Sequence, residues 1–131
     1  MSSSQPWWLT WPVAEVAASI LPYFSYFPHV SDRRAMKEIV SLWRTGSYPD
    51  RESVLGFKIV ATAGDFDQFT DPDCGAVAEA IQALEHAGLL MRAVSGDYAE
   101  FDVGLTRLGR QALATDAVRQ HLGLADAPPA I

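Results

Sequence analysis

Between Thr70 and Leu113 the spacing of apolar residues switches from helical to alternating and back to helical. Val77, Ile81, Leu84 and Ala87 recur at helical spacing and give one buried stripe. Asp71-Pro72 opens this helix, because a residue before proline avoids the α region and suits the N-cap, and proline suits the first helical position. Gly88 is the left-handed cap that ends it. Leu89 to Val94 is a short apolar run, and Ser95-Gly96-Asp97 is a hairpin-type turn signal. From Tyr98 to Leu105 the pattern alternates, with Ala99, Phe101, Val103 and Leu105 on one face and Tyr98, Glu100 and Asp102 on the other. Thr106 is placed to cap a last helix, whose apolar face is Leu108, Ala112 and Leu113 and which runs towards His121 and Gly123.

The same reading carries through the first half. A helix starts at Pro12, and Val13, Val16, Ala17, Ile20, Leu21, Phe24 and Phe27 form one continuous stripe. Pro22 removes a backbone donor and splits or kinks that helix. Pro28-His29 is a break, Ser31 an N-cap for the next helix, and Met36, Ile39, Val40 and Trp43 its buried face. Gly46 and Pro49 end it. Ser53 to Ala63 is almost wholly apolar or small, which fits a buried helix or a buried strand by pattern. Gly64 to Asp73 is a loop with four carboxylates whose spacing does not meet the EF-hand rule: Thr70 stands at the glycine position and Ala76 at the closing glutamate.

Two segments, AIQALEHAGLL and LTRLGRQAL, carry a family resemblance. The first looks like the end of a recognition-type helix entering a wing, and the second like the wing's second strand entering the next helix. The chain resembles the second half of a winged-helix domain, especially the MarR-like and PadR-like bacterial regulators. Leu84, Glu85 and Gly88, then Leu105, Thr106, Gly109 and Arg110, stand where those families carry similar residues. The match covers about a third of the chain. It implies an α+β fold, a mostly helical winged helix with a two-stranded wing and an extra N-terminal aromatic helix, and makes Ser53–Ala63 the helix before the recognition-type helix. The expected division is a tail and aromatic helix at 1–30, a winged-helix domain at 31–123 and a loosely attached tail at 124–131. In MarR-like proteins an N-terminal helix joins the dimer interface. The resemblance therefore implies a homodimer, with Trp7, Trp8, Trp11, Ile20, Phe24 and Phe27 as the contact residues. Read from the residues alone, the three indoles first of all cover the domain's own core, and packing on a second subunit or a partner is the functional alternative.

Charge changes the functional picture. Through Asp65 six basic residues balance six acidic ones; after it four arginines face ten carboxylates, so the net charge of −6 lies in the winged half. Lysine and arginine contacts to phosphate supply most of non-specific DNA affinity. The exposed positions expected on the recognition-type helix are Cys74, Gly75, Ala78, Glu79, Gln82, Glu85 and His86, of which only Gln82 suits base reading. The leading expectation is a regulatory protein that binds another protein through Glu79, Gln82, Glu85, His86, Arg92 and Tyr98. The alternative is a DNA-binding transcriptional regulator with Gln82 at the duplex and Arg92, Arg107 and Arg110 on its backbone.

Chemistry of other kinds has little support in the sequence. Cys74 is the single cysteine, and His86 lies about 18 Å further along the same helix, out of reach as its base. His29, His86 and His121 are on different elements, and no glycine-rich phosphate loop is present. A non-enzymatic protein without a cofactor or metal is expected. No segment has the length and continuity of a spanning helix or the positive start of a secretory signal, so a cytoplasmic protein that does not enter the membrane is expected.

Overall fold

The computed structural model describes residues 7–45, 67–93 and 102–125. The expected helix over Ser53–Ala63, the Ser95–Asp97 turn and the strand residues before Asp102 lie outside them. The described chain is mixed α and β, mostly helical, with one small antiparallel sheet.

The N-terminal apolar stripe becomes three pieces. Helix α1 spans Trp7–Thr10 and α2 spans Val13–Ile20, with Pro12 at the N-cap. The α-helix stops two residues before Pro22, and Leu21–Tyr26 continues as a 3₁₀ helix. That is the interruption a missing N–H imposes. Strand β1 (Val30–Ser31) follows, then α3 (Asp32–Thr45). Ser31 does cap α3, its hydroxyl accepting from the Arg34 amide at 3.0 Å.

Helix α4 (Pro72–His86) is the hub: α1, α2, α3 and the second strand all pack on it. Its ends are set by local chemistry. The Asp71 carboxylate accepts from the Asp73 amide at 3.0 Å. At the other end Gly88 has φ +80°, and the amides of Gly88 and Leu89 return to the carbonyls of Glu85 and Leu84 at 3.0 and 2.9 Å. This is the paired closure that a left-handed residue permits.

Strands β2 (Leu90–Arg92) and β3 (Asp102–Leu105) pair antiparallel, Leu90 with Leu105 and Arg92 with Val103. The sheet has three strands where a two-stranded pair was expected: β1 pairs with the far side of β3, Val30 opposite Val103, giving the order β1-β3-β2. Alternation puts Val30, Val103, Leu90 and Leu105 into the core.

Thr106 caps α5 (Arg107–Ala114), accepting from the Gly109 amide at 2.9 Å while donating to the Gly88 carbonyl at 2.6 Å. The single last helix read from the sequence is two. Asp116 takes φ +56°, the Ala117 amide returns to Ala112, and α6 (Val118–His121) starts afresh. Of the apolar face expected for α5, Ala112 is buried and Leu113 half-buried, but Leu108 is exposed and Gly109 is buried in its place.

One core joins all these elements. Val16, Ile20, Leu21 and Phe24 lie in the same buried cluster as Ile39, Val77, Leu84, Leu89 and Val103. No helix among the described residues is long and apolar enough to cross a membrane.

Candidate interaction surface

Helix α4 buries more of itself than its sequence stripe suggests. Besides Val77, Ile81 and Leu84, both Cys74 and Ala80 are fully buried, because α2 and α3 flank the helix as well as the sheet. Cys74, expected on the exposed face, is therefore interior. Only Pro72, Glu79, Gln82 and His86 of α4 are exposed. Residues 72, 79 and 86 are seven apart, so they share one line along the helix.

Charges around this strip are mostly tied to one another. At its start Arg44 donates to Asp71 at 2.6 Å and to Asp73 at 3.0 Å. The Trp8 indole N–H donates to the second Asp73 oxygen at 2.7 Å, with its ring stacked on Trp43 at 4.7 Å. At the strip's end Arg92 reaches back from β2 to Glu85 at 2.9 Å and to Asp32 at 2.7 Å. Burial acts to lower the Arg92 pKa, but the bonds to Asp32 and Glu85 outweigh it and raise it overall. Glu85, expected exposed, is half-buried by this contact. The helix is thus less acidic in effect than in composition: Glu79 is its one exposed carboxylate, and no lysine or arginine stands on it.

The remaining candidates separate. Arg107 and Arg110 are exposed on α5. Arg110 lines a hollow with Phe24, Tyr26, Phe27 and Leu105. Tyr98 lies outside the described residues, as does the side chain of Trp7. The expected dimer contacts are largely used at home. Ile20 and Phe24 are 0% and 1% exposed, and Trp8 packs against the chain's own core, as the bonds above describe. Trp11 and Phe27 are half-buried, with Phe27 against Tyr23 and under the Arg34 guanidinium.

Long-range polar pairs went unforeseen, since nothing in the sequence assigns one arginine to one carboxylate. Arg119 of α6 grips Glu15 of α2 through two bonds of 2.6 and 2.9 Å. Tyr23 donates to buried Glu38, which also accepts from Arg34 at 2.9 Å. Burial and that carboxylate push the Tyr23 phenol far above its ordinary range.

Burial, then the Asp71 carboxylate, push the Cys74 thiol up to about 11, so it is protonated at neutral pH and shielded from solvent. Among the described residues no group of three His, Cys, Asp or Glu side chains could hold a metal ion. Compared with family models, curated proteins and solved structures, the chain matches none.

Proposed function

We propose that this chain is a non-enzymatic regulatory module of winged-helix type that works by contact with another protein. The run of α4 into β2, β3 and α5 follows the order that the resemblance to MarR-like and PadR-like regulators implies, and it supports that reading. The observation that carries the choice of partner is the exposed strip of α4. It presents Glu79, Gln82 and His86 without a lysine or arginine, and the nearest wing cation, Arg92, is held by Asp32 and Glu85. Phosphate recognition needs cations free to replace counterions.

The second reading, a DNA-binding regulator, draws on Arg107 and Arg110, which are exposed on α5. Size-exclusion chromatography with light scattering, at low salt with and without duplex DNA, separates the two. The interaction reading expects the protein's mass to be unchanged by duplex. A shift to a protein–DNA complex that Arg107→Ala or Arg110→Ala removes would replace it with the regulator reading.

A further inference from the structure

An open cleft of about 390 Å³ lies between the N-terminal segment and the start of α4. It is at the lower end of the ~300–1,000 Å³ range of sites that take a ligand or a few side chains. Trp11, Val13, Phe69, Pro72 and Ala76 supply apolar walls, and Asp71 and Glu79 the acidic groups. Among the described residues no lysine, arginine or histidine lines it. Phe69 is 87% exposed and Val13 39%, an apolar surface that folding has left in water. Asp67, exposed, accepts from the Phe69 amide at 2.8 Å and so fixes the backbone that presents the ring.

Resting on the interaction reading above, we infer that this cleft is where the partner docks, and that the partner is a basic amphipathic peptide segment. Its apolar side chains would fill the trough beside Phe69, and a lysine or arginine would meet Glu79. Charge selects this occupant. Asp71 is bonded to Arg44, whereas the Glu79 carboxylate is exposed and, among the described residues, faces no cation in the lining. An acidic or phosphorylated ligand would face the Asp71 and Glu79 carboxylates and, among the described residues, no cation in the lining. Glu79 also belongs to the exposed line of α4, so the cleft is continuous with the surface proposed for contact. Apolar anchors in a groove provide the affinity, and rim charge sets selectivity and rate.

The test is selection of a random 12-residue peptide library displayed on phage against the intact chain, followed by titration of the enriched peptides. Enriched peptides should pair bulky apolar residues with lysine or arginine. Phe69→Ser should weaken them about tenfold, the order expected when one aromatic anchor is lost. Glu79→Lys should weaken them several-fold and remove their salt dependence. Both side chains are exposed, so thermal melting of the variants should stay at the wild-type value. No enrichment, enrichment of peptides lacking basic residues, or equal binding to the Phe69→Ser chain would overturn the inference. So would a wild-type dimer that Phe69→Ser converts to monomer, since the occupant would then be a second copy. Failure here with no complex on duplex DNA leaves the interaction reading standing without this cleft; a complex on DNA removes the reading itself.

Discussion

Gly109 shows how a motif residue can serve the fold before it serves anything else. A Cβ at this position would stand 2.2 Å from the Leu89 carbonyl oxygen and 3.1 Å from a Leu105 methyl. The backbone of α5 thus rests directly on the exit of α4, and the Leu-Thr…Gly-Arg pattern encodes that approach through Thr106 and Gly109. Neither residue needs DNA to explain it. Gly109→Ala should destabilise the protein by about 1–3 kcal/mol, the usual cost of forcing a methyl group into a filled core. Chemical denaturation checks this; an unchanged midpoint would show that α5 can lift away freely.

At the scale of the element, α4 is held at its N-terminus by a cap that is also an ion pair. Burial acts to raise the Asp71 pKa, but the Arg44 guanidinium and the Asp73 amide outweigh it and hold the carboxyl below its ordinary value. A carboxyl depressed in the folded state stabilises above its unfolded pKa, and that contribution is lost as pH falls through the folded value. Stability from Asp71 should therefore decline below about pH 4. Asp71→Asn keeps a capping oxygen and removes the charge. It should flatten this acid limb while costing less than about 1 kcal/mol at neutral pH, because the pair is partly exposed. Urea midpoints across pH 2 to 7 would show it, and an unaltered acid limb would contradict it. The ends of α4 were legible in the sequence because caps are local: Asp71-Pro72 and Gly88 carry their own conformational preferences. The same holds for Ser31 and Thr106. Strand β1 was not legible, since Val30 and Ser31 become a strand only by meeting Val103 and Asp102 some seventy residues later. The burial of Cys74 and Ala80 was hidden for the same reason, being decided by what packs on the helix. The turn at Asp116 was hidden because aspartate only tolerates positive φ, whereas glycine announces it.

Over the whole molecule α2 and α6 are joined by Glu15 and Arg119, 104 positions apart. The Glu15 side chain is 8% exposed, so removing its partner leaves a charge stranded in the interior. Arg119→Ala should cost about 3 kcal/mol, the lower part of the range for breaking a buried pair. Arg119→Ala combined with Glu15→Gln should recover part of that loss in thermal melts, and no recovery would mean that the pair does not act as a unit. Arg44, Arg92 and Arg119 are likewise each bonded to carboxylates of distant elements, so much of the positive charge binds the fold together. The described residues offer the outside a cleft of mixed polar and apolar lining, a strip with one carboxylate, and exposed arginines on α3 and α5. The central claim, that this surface is made for protein and not for nucleic acid, is tested most directly by titrating the wild-type chain with random duplex DNA at about 0.15 M salt, where exposed charges are screened beyond ~8 Å. The account predicts binding no tighter than about 10⁻³ M, weaker than the ~10⁻⁴–10⁻⁶ M of ordinary non-specific DNA binders. A dissociation constant in or below that range, lost on Arg107→Ala or Arg110→Ala, would contradict it.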